Sequence, residues 1–316
     1  MIRIEPFGNL GNGDRVNRLT VSSSDRSFSV ITLGATLTSL VHKGYDAVLS
    51  HSDLSRYVDD STYMGEVVGP VANRIANAKY VLDGIEHHLD ANNGPNCLHS
   101  GSACYGRKLW KIEGYGNDYA VLSYRSIEGE GGFPGYQTVS VRYCIESDGS
   151  LSIGYEADQH GCEIPFSITN HSYFDLSSSH DCRSVLLTMH ADAYAPVDSS
   201  LIPVSEENTA GSDFDFSKGE LIGSRRGGAY DNAFRLVPNA CVRAEGDMAM
   251  LTMATDLPAV QLYAGEFLSN GFSPFSGFAL ETGFYPDFIN NPSFSKSILR
   301  EDHPFRSETR FLLEAR

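Results

Sequence analysis

The chain has 316 residues, of which 41% are hydrophobic and 20% charged, values that provide for a large buried core and exclude extended disorder. Its 24 Lys and Arg stand against 40 Asp and Glu, a net charge of −16 that repels phosphate backbones and anionic membrane surfaces. Nucleic acid and membrane are thus not expected as partners, and a neutral small molecule is.

Residues 1–16, MIRIEPFGNLGNGDRV, carry charge and glycine where a signal peptide needs an unbroken apolar stretch, and no apolar run is long enough to span a bilayer. A cytoplasmic protein is the expectation. Phe28–Leu40 mixes β-branched and apolar residues with hydroxyls and glycine, which predicts a strand pair bending near Gly34. Leu54–Asp60 reads as one helical turn. In Lys79–Leu89 the Asp83-Gly84 dipeptide separates two strand-like runs, a hairpin signal because both turn positions tolerate positive φ. The adjacent His87 and His88 then point to opposite faces.

A second hairpin is predicted in Thr138–Tyr155, where Val139, Val141, Tyr143 and Ile145 share a face, Asp148-Gly149 turns, and Leu151, Ile153 and Tyr155 continue. Ile164–Ile168 is strand-like, as are Ser184–Thr188, Met248–Ala254, Ala259–Ala264 and Arg310–Leu313. There is no long amphipathic helix, fixed-period repeat or linker. The predicted fold is all-β: one large antiparallel β-sandwich domain over residues 1–316.

Six cysteines at 97, 104, 144, 162, 182 and 241 lack CxxC spacing and read as reduced core thiols. Cys97, His99 and Cys104 find no further ligand at a recognisable spacing, so no metal is expected. The groups suited to proton transfer are elsewhere. His171 lies in Thr169–Leu176, TNHSYFDL, with Asn170 and Ser172 beside it to fix the ring; a histidine capping a turn is the alternative. Glu281 lies in Phe278–Asp287, FALETGFYPD, after an apolar strand and before a Gly/Pro turn. Strand ends are rigid mounts, and the two would flank a substrate from opposite sides.

These stretches resemble a known family. Gly65–Gly101, with ANRI, then LDG, then an asparagine-rich turn ending in LH, is similar to the aldose 1-epimerase (galactose mutarotase) family. GEGGFPG at Gly129–Gly135, TNHSYFDL, LIPV from Leu201, DFDF at Asp213–Phe216, YDNAF at Tyr230–Phe234 and ETGFYPDFINNP at Glu281–Pro292 follow in that family's order. The resemblance runs from about Gly34 to the C-terminus. It implies a galactose mutarotase-like β-sandwich that needs no cofactor and interconverts the α and β anomers of a free aldose such as glucose or galactose. It further implies Glu281 as base and His171 as acid, with Arg74, Asn73, His99, Asp231 and Gln261 holding the monosaccharide.

The chain departs from the pattern at Pro70, where Gly-Arg would be expected, at Ser100, where glycine follows LH, and at Asn232, where histidine follows the aspartate. Lying beside substrate-holding positions rather than at the reacting groups, these departures leave the acid–base pair untouched and put in question only which sugar is preferred. A modified or phosphorylated sugar is disfavoured because Arg225-Arg226 is the only adjacent arginine pair. A non-catalytic carbohydrate-binding protein would not need both His171 and Glu281, and glycoside hydrolysis lacks a clear second carboxylate, although Asp231 could be nominated. Monomer and homodimer are both compatible with the sequence. From reference values of about 4.3 for Glu and 6.5 for His, attraction between the two should lower the first and raise the second.

Overall fold

Alternation builds the largest sheet. In Tyr136–Ile145, Val139, Val141 and Tyr143 are fully buried while Thr138 and Arg142 are exposed, and Leu151–His160 pairs with this strand from Ile145 opposite Leu151 to Tyr136 opposite His160. The structure is a computed structural model that describes all 316 residues. Nine antiparallel strands run in the order Lys111–Tyr115, Tyr119–Arg125, Tyr136–Ile145, Leu151–His160, Phe305–Ala315, Ala249–Thr255, Cys241–Glu245, Leu186–Met189 and Glu220–Leu221. A six-stranded sheet faces it, in the order Tyr173–Phe174, Phe278–Gly283, Ala259–Tyr263, Asp231–Leu236, Ala191–Tyr194 and Glu207–Asn208.

The facing is direct. The Phe174 ring meets that of Phe311 at 5.1 Å, and the hydroxyls of Thr282 and Thr309 are 2.7 Å apart. Burying Phe174 is worth about 1.5–3 kcal/mol and anchors the strand that follows His171. A five-stranded sheet, from Ile2–Asn9 to Tyr45–Asp46, joins through Phe28 against Tyr143 and through the Tyr143 hydroxyl, which donates to the Ala35 carbonyl at 2.7 Å. One apolar core of 63 buried residues runs through all three sheets, the antiparallel β-sandwich expected from the sequence.

Both predicted hairpins form, Lys79–Leu82 with Ile85–His88 and Tyr136–Ile145 with Leu151–His160. Asp83 and Gly84 both take positive φ, as a tight two-residue turn requires. The only α-helix is Leu54–Val58, capped by the Asp53 carboxylate. No helix is long and apolar enough to cross a membrane. Two readings change. Ile164–Ile168 is not one strand: Ile164–Pro165 pairs with Ile298–Leu299, after which the backbone changes partner, Ser167 donating to the Pro70 carbonyl and bridging to Val71. Of the cysteines, all free thiols, Cys97, Cys104, Cys144 and Cys182 are buried, but Cys162 sits in an exposed turn and Cys241 on an outward strand position.

Candidate active site

Strand register sets half of the site. On the six-stranded sheet Glu281 is directly opposite Gln261, and Tyr263, two residues on, is opposite Asp231. A period of two therefore puts Glu281, Gln261, Tyr263 and Asp231 on one face. Gln261 donates from Nε2 to Asp231 at 2.5 Å, and Arg74 approaches the other Asp231 oxygen at 3.8 Å.

Loops set the other half. His171 links Thr169–Asn170 to Tyr173–Phe174, and its backbone is pinned on both sides: its N–H donates to the Glu66 carbonyl at 2.8 Å and its carbonyl accepts from Gly65 at 2.9 Å. Asn170 and Ser172 fix this turn rather than the imidazole. The Asn170 amide donates to the Gly65 carbonyl and accepts from the Ser172 hydroxyl, while Nδ1 of His171 is buried without a partner. The ring is enclosed by those of Tyr173, His99, Tyr63 and Tyr263, with centroids 5.1, 5.4, 6.1 and 6.5 Å away. Asn73 and His99, both at positive φ, lock together: the Asn73 N–H donates to His99 Nδ1 at 3.1 Å and the His99 N–H to the Asn73 carbonyl at 2.9 Å. Arg74 Nε donates to the Asn93 side chain at 3.1 Å.

A cavity of about 550 Å³ opens between the halves, lined by Asn73, Arg74, His99, His171, Asp231 and Glu281 among others. At its floor, Nε2 of His171 and Oε1 of Glu281 are 3.5 Å apart. They stand side by side, not on opposite sides of a substrate as the sequence suggested. Burial, with Asp231 adding and Arg74 opposing, pushes the Glu281 carboxyl up to about 8, and burial takes His171 down to about 4. These directions reverse the sequence expectation, because loss of water outweighs mutual attraction for both groups. His99 is held well below its ordinary value by burial first, then by the charges of His171, Arg74 and Arg107.

Two adjacent proton-transfer groups lie under an open, polar, ring-lined cavity on a β-sandwich, and the sequence profile described as aldose 1-epimerase matches residues 17–312. The chain belongs to the aldose 1-epimerase family. It is accordingly an isomerase, an aldose mutarotase. It is 34% identical to the galactose mutarotase of Bos taurus over 332 aligned positions covering 96% of each chain, and 32% identical to the aldose 1-epimerase of Escherichia coli K12 over 84% of each. In fold it superposes with a TM-score of 0.88 on the GalM/aldose epimerase homologue from C. elegans, 24% identical, covering 94% of this chain and 98% of that one. A second structure, galactose 1-epimerase from Lactobacillus acidophilus NCFM, gives 0.88 at 22% identity, with coverage of 100% and 99%.

Of the residues singled out in the sequence, six line the cavity and one does not. Gln261 stands behind Asp231 and orients it. None of the three departures from the family pattern is itself on the cavity wall, but Ser100 and Asn232 directly follow His99 and Asp231, which are. Ser100 exchanges hydrogen bonds with the Val71 backbone, Asn232 donates to the Ala195 carbonyl, and Pro70 accepts from Ser167. Sequence reasoning missed Tyr63, Tyr263, Phe267 and Asn93. Only Tyr263 carried a usable signal, being two residues from Gln261 on a predicted strand.

His99, His171 and Glu281 bring possible metal-ligating atoms within 4.8 Å of one another. The chemistry of His99 does not fit a cation. With Nδ1 accepting from the Asn73 backbone, the neutral ring carries its proton on Nε2 and offers a donor where a metal needs a lone pair. Prolonged EDTA treatment should leave the mutarotation rate unchanged; a loss that one added metal restores would contradict this assignment of the tautomer.

Proposed function

We propose that this aldose 1-epimerase interconverts the α and β anomers of free aldoses, glucose and galactose among them, with Glu281 and His171 as the proton-transferring pair. The observation that carries the reading is the 3.5 Å separation of Nε2 and Oε1 at the cavity floor. The hydroxyl oxygen on C1 and the ring oxygen of a hemiacetal share one carbon, so two groups side by side can reach both at once. Glu281 takes the proton from the C1 hydroxyl, that oxygen's electron pair forms the carbonyl, the bond from C1 to the ring oxygen breaks, and His171 protonates the ring oxygen. The carbonyl rotates and the steps run backwards on its other face.

This sequence gives burial a purpose. The cyclic sugar reacts from the state with Glu281 ionised and His171 protonated, and ring opening returns both groups to the neutral pair. An environment that raises Glu281 and lowers His171 favours that neutral pair, so the charged state from which the ring opens is high in energy and discharges readily once the C1 hydroxyl and ring oxygen are in reach.

Arg74, Asp231, His99 and Asn73 are assigned to the sugar oxygens, with Gln261 orienting Asp231. A phosphorylated sugar is disfavoured, since Arg74 is the only Arg or Lys on the cavity wall and it already faces Asp231. A pure binding role would leave the unpartnered, water-poor imidazole of His171 without use. The continuous core supports a single domain, and six free thiols support a reducing, cytoplasmic setting. Polarimetry or NMR of freshly dissolved α-glucose and α-galactose, with the spontaneous rate subtracted, tests the substrate assignment; no acceleration of either would refute it. Arg74→Ala and Asp231→Ala should each lower kcat/KM about 10- to 100-fold, with much of the loss as raised KM. An unchanged KM in both would take these residues off the sugar.

A further inference from the structure

Behind the wall formed by Tyr63 lies a buried polar cluster that the reaction does not use. The Glu66 carboxyl is 2% exposed and receives Arg107 on Oε1 at 3.0 Å. Its second oxygen, Oε2, has no partner and packs on Gly106 so closely that a Cβ there would lie 2.1 Å away. Burial pushes this carboxyl up to about 8 against the pull of Arg107, and a proton on Oε2 leaves the bond at Oε1 intact. Arg107 also donates to the carbonyls of Tyr57 at 3.2 Å and Asp60 at 2.6 Å. Its guanidinium lies over the Tyr63 ring, 4.9 Å from the centroid.

Tyr63 is the point at which this cluster meets the site. Its backbone is at φ +56°, a conformation costly for a side chain of that size and found where the surroundings impose it. Asp60 imposes it by accepting from the N–H groups of Thr62 and Met64, and the Tyr63 carbonyl accepts from Glu66. The ring thereby lines the cavity and sits on His99 at 4.5 Å. Glu66 reaches the same centre by a second route, since its own carbonyl accepts the His171 N–H.

We propose that Glu66 and Arg107 are a positioning pair for the acid side of the site: the guanidinium, held by the Glu66 carboxyl and two loop carbonyls, clamps the Tyr63 ring against His99 and so fixes the wall around His171. The proposal rests on the roles given above to His171 and His99. It differs from a purely structural role, which would affect melting and leave a folded variant's kinetics alone.

The test compares Arg107→Met, Arg107→Lys, Tyr63→Leu, Tyr63→Phe and the double variant Arg107→Met/Tyr63→Leu, each checked for folding by near-UV circular dichroism. Arg107→Met and Tyr63→Leu should each lose about 10- to 100-fold in kcat/KM, more through kcat than KM, as misplacement of catalytic groups does. Arg107→Lys should recover part of that loss, and Tyr63→Phe should keep most of the rate because the ring does the clamping. The double variant should be no worse than the weaker single. Folded single variants with wild-type kinetics would overturn the proposal, as would single losses that multiply in the double. If Arg107→Met does not fold, the tyrosine pair decides, since equal rates for Tyr63→Leu and Tyr63→Phe rule out a clamp. Failure here leaves the Glu281 and His171 assignment standing, because Glu281→Gln tests that separately.

Discussion

Glu281→Gln should lower kcat about 10²–10⁴-fold while making the protein more stable. The amide keeps the shape and size of the carboxyl but cannot accept the C1 hydroxyl proton, so the loss falls on the chemical step and KM should change little. The stability gain follows from linkage. A carboxyl whose value rises from 4.5 unfolded to about 8 folded contributes stability that is full below pH 4.5, falls as pH rises, and is gone above about 8. Glutamine has no proton to lose. The melting temperature of Glu281→Gln relative to the native chain should therefore climb between pH 5 and 8 and then level off. A variant both less active and less stable at pH 8.5 would indicate damage to the fold, and one within a few-fold of native kcat would refute the base assignment.

The fold was legible wherever a local rule decides the outcome. Alternation in Thr138–Tyr155 fixed both the strands and their buried face, and Asp83-Gly84 fixed a turn, because side-chain period and positive φ are properties of a few adjacent residues. Ile164–Ile168 was misread because its apolar pattern says nothing of partners. The segment passes between Val71 and Ile298–Leu299, and its backbone bonds switch from the second to the first between Phe166 and Ser167, a change of partner that local pattern does not record.

The site was legible through resemblance and only partly through physics. Register explains why Glu281, Gln261 and Asp231 converge, yet register depends on which strands pair, a long-range fact. Tyr63 could not have been found, since its strained backbone is imposed by Asp60 and its ring is held by Arg107, 44 positions away in the numbering. The protonation directions were also out of reach. A sequence gives reference values and neighbours, while the depth of burial that dominates both Glu281 and His171 belongs to the folded cavity.

That depth fixes the pH behaviour. Mutarotation needs one acid and one base, so the pair must hold a single proton between its two groups. Burial lowers His171 to about 4 and raises Glu281 to about 8, so the pair binds a second proton below the first value and loses its last above the second. Native kcat/KM should be flat between these limits and fall roughly tenfold per pH unit outside them. The limbs belong to the pair, with His171 dominating the acid side and Glu281 the alkaline side, the reverse of what reference values suggest. His171→Asn should cost about 10²–10⁴-fold and change the shape of the profile. With only the base left, the residual rate should rise as Glu281 ionises near pH 8 and show no alkaline fall, since the group whose loss closed the bell now only gains from losing its proton. An unaltered bell in His171→Asn would show that this imidazole does not carry the proton, and His99, 5.4 Å away between ring centres, would be the group to replace next.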